Sequence, residues 1–256
     1  MPRPTDAKFY GLHACEALAE RRPEDVQRAF FTREMAPRFG ALTSAMAKRR
    51  RPYRVVEEDE LATVAGSRHH EGVCLVAEPI PSPSFERWLA DASGPTRAIF
   101  LDGVDNPHNV GLVLRSAAHF GGGALICWTR DLERVDGASA RVAEGGAERV
   151  PIVFVEDPRE ALEAMREAGF ALIATVVREA PSLYAEPLPD KVVFLLGSEG
   201  EGVGESAVEI ADRAVTIPGT GAVDSLNVAA ACAVLLSEHA RQFPSPGARS
   251  FGAQDP

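Results

Sequence analysis

Cysteine is scarce in this chain and widely scattered. Its four positions, Cys15, Cys74, Cys127 and Cys232, form no C-x-x-C pair. That spacing argues against a disulfide framework and against a zinc site, and predicts buried free thiols instead. The six histidines include one adjacent pair, His69-His70, and predict no metal centre. No apolar run approaches the roughly 20 residues that a membrane-spanning helix needs. The opening Met1-Pro-Arg-Pro-Thr-Asp6 lacks the apolar stretch of a secretory signal, so the expected compartment is the cytoplasm. The 22 glycines and 19 prolines follow no period, which excludes a collagen-like or low-complexity chain, and no internal repeat is visible. What is present is ordinary globular material: 256 residues, 45% hydrophobic and 25% charged. That is enough for a sizeable core, in one large domain or two smaller ones.

The net charge of −10 argues against a nonspecific nucleic-acid coat, but it is unevenly spread. Residues 1–90 carry 14 Lys and Arg against 13 Asp and Glu, a net of +1; residues 91–256 carry 13 against 24, a net of −11. The first third also holds the run Lys48-Arg49-Arg50-Arg51-Pro52-Tyr53-Arg54. Such a run can hold phosphates and stack on a base, or it can be a solvated helix end.

The clearest seam is Pro79-Ile80-Pro81-Ser82-Pro83-Ser84, because prolines at this density fit neither a helix interior nor a central strand. It divides the chain into a small α/β domain over 1–79, a linker over 80–96, a larger domain over 97–243 and a mobile tail over 244–256. In the first domain the pattern predicts strands at 26–31, 53–56 and 73–77 and helices at 37–50 and 57–65. In the second it predicts strands at 98–101, 124–128, 152–155, 171–177, 192–196 and 214–217. Helices are expected at 110–120, 139–147, 157–168, 205–211 and 225–241. Continuous apolar strands between helices indicate a parallel sheet covered on both faces.

In an open parallel sheet, ligands sit at the carboxyl ends of strands, and three polar, glycine-rich segments occupy such positions. The first runs from Leu101 to Arg115 and includes Asn106-Pro107-His108-Asn109. Asn109 is placed to cap the following helix, and Arg115, nearly two turns on, is either a guanidinium aimed at phosphate or ribose or a surface ion pair. The second, Leu195 to Gly204, has glycines at 197, 200, 202 and 204. It is neither a Walker loop nor a G-x-G-x-x-G fingerprint. Its acids Glu199 and Glu201 would repel a polyphosphate and favour a neutral or cationic nucleoside; a plain tight turn is the alternative. The third is Thr216-Ile217-Pro218-Gly219, then Gly221 and Ser225-Leu226-Asn227-Val228. Here Ser225 reads as the cap of the last helix, a role that leaves Asn227 unexplained.

Taken in order, these segments resemble the three motifs of the SpoU (TrmH) branch of the SPOUT RNA methyltransferases, over about residues 98–241. Lys8-Phe9-Tyr10-Gly11-Leu12-His13 and His70-Glu71-Gly72 resemble the small RNA-substrate-binding domain often attached to that family. The resemblance implies a knotted (trefoil) parallel-sheet domain and a homodimer packed through it. It implies S-adenosylmethionine as the methyl donor, held by Gly197, Gly202, Ile217, Pro218 and Leu226. It further implies rRNA or tRNA as partner, with methyl transfer to a ribose 2′-hydroxyl. On this reading Arg115 activates the hydroxyl and contacts RNA with Lys48, Arg49, Arg50 and Arg51; Asn109, Glu199, Ser225 and Asn227 support the site, and His108 is a secondary candidate. Two positions depart from the family: Gly219 stands where a methionine is frequent and Ala229 where a serine is frequent. Both bear on substrate choice more than on the reaction. Two other readings stay open, a non-catalytic RNA-binding module of the same fold and an unrelated doubly wound nucleotide-binding enzyme.

Overall fold

A computed structural model of the chain describes residues 6–128, 137–177, 179–198, 200 and 202–244. The first lobe contains Ala7–Tyr10 (β1), Leu12–Arg21 (α1), Val26–Phe31 (β2), Gly40–Lys48 (α2), Tyr53–Val55 (β3), Glu58–Ala65 (α3) and Val73–Ala77 (β4). Its four-stranded sheet has the order β1-β4-β2-β3, with β4 antiparallel to both neighbours and β3 parallel to β2 at the edge. The sequence pattern missed β1 and α1. The strand has four residues of which only Phe9 is buried, too short to show an alternation. The helix buries small side chains, Ala14, Cys15 and Ala17 beside Leu18.

The stretch 80–96 is not a bare connection. It contains Phe85–Asp91 (α4), capped by the Ser84 side chain, which accepts the Arg87 N–H at 3.3 Å. Trp88 of this helix is buried and donates its indole N–H to Gly123 O at 3.2 Å.

The second lobe continues with Thr96–Asp102 (β5), Pro107–Phe120 (α5), Ala124–Cys127 (β6), Gly137–Val142 (α6), Ile152–Phe154 (β7), Pro158–Glu167 (α7) and Ala171–Thr175 (β8). Lys191–Gly197 (β9), Glu205–Ile210 (α8), Arg213–Val215 (β10) and Val228–Gln242 (α9) complete it. Its six strands are all parallel, in the order β10-β8-β9-β5-β6-β7. Alternation along the strands makes two apolar layers. Ile99, Leu101, Phe194 and Leu196 face a core shared with α5 and α9; Ala98, Phe100, Val193 and Leu195 face the layer that holds Trp88, α7 and α8.

The core on the α5 and α9 side runs on into the first lobe, through Ala140, Ala143 and Ala147 to Phe9, Cys15 and Leu18. Arg22 crosses the junction. Its guanidinium donates to both carboxylate oxygens of Glu148 at 2.9 Å and also to Asp25, Glu78 O and Pro79 O. Both partners of the Arg22–Glu148 pair are more than nine-tenths buried. Burial is tolerated because nearly every guanidinium donor has an acceptor.

Three boundaries correct the sequence reading. Asn106, not Asn109, caps α5: its side chain accepts the His108 N–H at 3.0 Å, with Pro107 at the first helical position. Asn109 is thus inside the helix and buried. Asn227, not Ser225, caps α9, accepting the Ala229 N–H at 2.9 Å, so residues 225–227 precede the helix. The helix expected over 139–147 breaks after Val142, where Glu144 and Gly145 take left-handed backbone.

Candidate active site

The three glycine-rich segments meet at one rim of the six-stranded sheet. Strand β9 delivers Gly197 there. A Cβ on that residue would lie 1.8 Å from the Gly202 carbonyl carbon, so glycine is required by the returning chain. The turn closes through Gly202 N–H to Ser198 O at 3.0 Å, with Gly200 and Gly202 at φ of 99° and 73°. Gly204 N–H is anchored on Asp102 Oδ2 at 2.8 Å, at the end of the neighbouring strand β5. Strand β10 delivers Thr216 and Ile217, pinned by Leu183 N–H to Thr216 O at 2.8 Å and Thr216 N–H to Pro181 O at 2.9 Å. Asn227 does two things with one side chain. It caps α9 and donates Nδ2–H to Asn109 Oδ1 at 3.1 Å, tying the third segment to the helix of the first.

Between the second and third segments lies a cavity of about 640 Å³, within the range of small-molecule sites. Gly197, Gly202, Ile217, Leu226, Ser225 and Asn227 line it. Pro218 adjoins Ile217 but is not among the lining residues, and Asn109 reaches the wall through Asn227. Glu199 lies outside the described residues, as does Glu201. Sequence reasoning missed one wall, Thr175, Val176 and Val177, at the end of β8. The sheet order supplies the reason: β8 flanks β9, so its carboxyl end opens on the same space. Thr175 Oγ1–H donates to Leu195 O at 2.7 Å and locks the two strand ends together. Asp224 contributes a carboxylate to the lining, so the cavity offers glycine backbone, small polar groups and a negative charge. That combination suits a nucleoside carrying positive charge.

Arg115 is elsewhere. It lines a second cavity of about 220 Å³ between the lobes, with Leu112 and His108 one and two turns back on the same face of α5. Its Nη1 lies 2.8 Å from Glu144 Oε1, with about half of the side chain exposed. The basic run ends α2 and precedes the edge strand β3: Lys48, Arg49, Arg50 and Arg51 are all exposed, and so is Tyr53. None of them lines either cavity.

The four cysteines are free and buried. Burial pushes the Cys74 thiol up to about 11 and Cys127 to about 12, so neither is a nucleophile at neutral pH. Among the described residues no cluster of His, Cys, Asp and Glu could hold a metal ion, and no helix is long and apolar enough to cross a membrane.

Residues 9–83 match the RNA 2'-O ribose methyltransferase substrate binding family, and residues 96–237 match the SpoU rRNA Methylase family. The uncharacterized tRNA/rRNA methyltransferase YfiF of Escherichia coli O157:H7 is 37% identical over 240 residues, covering 94% of this chain and 69% of that protein. The 23S rRNA (guanosine-2'-O-)-methyltransferase RlmB of Pseudomonas putida is 33% identical over 242 residues, covering 92% and 96%. In fold, the crystal structure of the SpoU methyltransferase AviRb from Streptomyces viridochromogenes in complex with AdoMet superposes with a TM-score of 0.75 at 24% identity, covering 94% of this chain and 91% of that one. A parallel sheet whose turns after β9 and β10 close on one cavity, together with a family match over most of its length, shows that this chain belongs to the SpoU rRNA methylase family.

Proposed function

We propose that the chain transfers a methyl group from S-adenosylmethionine to a ribose 2′-hydroxyl of rRNA or tRNA. The observation that carries this reading is the convergence of Gly197, from the second segment, with Ile217 and Leu226, from the third, on one cavity whose described lining is neutral to acidic. Among the described lining residues the charged side chain is Asp224, which would repel a polyphosphate. The donor fits the groups available. Backbone around Gly197, Ile217 and Leu226 would hold the adenosine, and Asp224 would face positive charge. When bound, the donor supplies an electrophilic methyl on a sulfonium, which loses its charge on transfer and needs no acid.

The chain's own part is positioning and electrostatics. Closed turns hold the reactants in line, and the Asn109–Asn227 hydrogen bond fixes two of them. Arg115 favours the developing alkoxide of the ribose, with Ser225, Asn227 and Glu199 supporting; His108, on the same helix face, is the second candidate for handling the hydroxyl proton. Lys48 to Arg51 hold RNA phosphates from the first lobe. The cytoplasm, where such RNA is found, is the expected place of action.

We further infer a homodimer packed through the cavity face. Val177 and Leu226, which line the cavity, are 53% and 47% exposed, and Val223, next to the lining Asp224, is 73% exposed, an apolar surface suited to a partner copy. Arg115 also opens on a cleft separate from its own donor cavity, so a second copy facing that cleft would bring activator and methyl together. The trefoil-knot reading of the domain draws on the turn at 197–204, whose backbone returns so close that Gly197 has no room for a side chain. The proposed domain limits of 1–79 and 97–243 draw support from the two separate family matches over 9–83 and 96–237.

Calorimetric titration with S-adenosylmethionine and with ATP tests the donor. Binding of ATP alone would refute the reading. Methyl transfer to total RNA then separates an enzyme from a non-catalytic module. Arg115→Ala is expected to abolish transfer, by about 100-fold or more, with donor affinity unchanged. Loss of donor binding in that variant would refute the role given to Arg115.

A further inference from the structure

The cleft between the lobes contains two arginines, and each is held by a glutamate. Arg115 lies on α5 and pairs with Glu144 at 2.8 Å. Arg141, near the end of α6, has its Nη1 3.9 Å from Glu71 Oε1. The stem of Arg141 crosses Gly11 so closely that a Cβ there would be 2.5 Å from Arg141 Cγ, so the guanidinium is aimed into the cleft by contact with the first lobe. The Glu71 carboxylate does more than pair. Its Oε2 accepts the N–H of Leu12 at 2.9 Å, the first residue of α1. One carboxylate thus takes a helix-terminal N–H and faces a guanidinium, the contacts that two oxygens of a phosphate would make.

Backbone conformation marks the same two acids. Four non-glycine residues among those described have positive φ, and two of them are Glu71 at 52° and Glu144 at 46°. Left-handed backbone is disfavoured for glutamate. Here it places both carboxylates in the cleft opposite the two arginines. All four side chains are between about 30% and 52% exposed. Ion pairs this wet are weak and exchangeable, whereas a guanidinium meets a phosphodiester with two parallel hydrogen bonds.

We propose that this interlobe cleft is a seat for an RNA backbone phosphate, in which Arg115 and Arg141 are the cations and Glu144 and Glu71 are resident carboxylates that the phosphodiester displaces. The inference rests on the RNA-methyltransferase reading and adds to it a second contacting arginine and a built-in competitor. The resident acids keep Arg115 folded against its own chain until RNA arrives.

The test is equilibrium binding of a fluorescein-labelled RNA hairpin of mixed sequence to the full chain, without donor, across a salt series. Glu144→Asn removes the charge and keeps a residue tolerant of left-handed backbone. Glu71→Gln removes the charge and keeps an acceptor for Leu12 N–H. Each is expected to tighten binding about two- to fivefold, the size of a released exposed ion pair. Arg141→Ala is expected to weaken binding and to flatten the plot of log affinity against log salt by about 0.7, the loss of one phosphate contact. Circular dichroism confirms that each variant is folded. If wild type binds RNA steeply and all three variants behave like it, the phosphate seat is wrong while the enzyme reading stands. If wild type binds no RNA and takes up no S-adenosylmethionine in a parallel titration, both are wrong.

Discussion

At the scale of single residues, the site is governed by where a side chain cannot be. Gly197 is the sharpest case, with the Gly202 backbone occupying the space of its Cβ. Gly197→Ala must push the returning turn away. It is expected to cost about 1–3 kcal/mol of stability, as overpacking does, and to abolish donor binding while RNA binding through the first lobe persists. Urea unfolding and calorimetry measure the two effects; an alanine variant that binds the donor normally would refute the role of this crossing. Glycines at 197, 200, 202 and 204 announced this turn in the sequence. Asn227 was only half legible. Its mismatch with a plain first-turn role was visible, but the bond to Asn109 joins positions 118 residues apart, and no local pattern encodes that. Arg115 was legible as an arginine out of place on an apolar helix, but its partner Glu144 was hidden by the break after α6.

At the scale of elements, the strands of the large sheet were readable to within a residue or two. The inner strands, buried on both faces, carry apolar runs such as Ala98–Leu101 and Val192–Leu196. Elements that owe their burial to another lobe were not. Helix α1 packs small residues against the chain around Gly145, with Ala17 Cβ 3.0 Å from where a Gly145 Cβ would stand, and its apolar stripe is therefore weak. Helix α4 follows three prolines and hides one large anchor, Trp88. The last helix, α9, carries a pH dependence. His239 is fully buried, with Nε2 3.0 Å from Pro189 O. Burial, helped by Arg97 nearby, holds its pKa down at about 4 against an ordinary 6.5. The folded state therefore favours the neutral ring. Its contribution is complete above pH 6.5 and is lost as pH falls from 6.5 toward 4. Glu238, held down to about 2 by the hydrogen bond from Arg241, adds its own loss only below 4.5. Denaturant unfolding at pH 7.5, 6 and 5 is expected to show falling stability for wild type and a flatter profile for His239→Gln. Parallel profiles would contradict the assignment.

At the scale of the whole molecule, the two lobes share one core and one buried ion pair, so they are expected to unfold together. The charge contrast between residues 1–90 and 91–256 was plain in the sequence and sets off the lobe proposed to hold RNA from the lobe proposed to hold the donor. What the contrast concealed is that Arg22 and Glu148 exchange charge across the junction with both side chains buried. Arg22→Met leaves Glu148 unpaired and should cost about 3–5 kcal/mol, whereas the double variant Arg22→Met/Glu148→Leu should recover most of it. Differential scanning calorimetry is expected to show one transition for wild type. A single variant as stable as wild type would mean that the pair does not hold the lobes.

The central claim is that the turns after β9 and β10, at the rim of one sheet, hold a methyl donor whose methyl goes to ribose. The most direct measurement is transfer from S-adenosyl[methyl-³H]methionine to RNA from cells lacking this gene, followed by nucleoside analysis of the labelled product. The account predicts label in a single 2′-O-methylated nucleoside, absent with Gly197→Ala and with Arg115→Ala. Label on a base, or no label from a protein that binds RNA but not the donor, would contradict it.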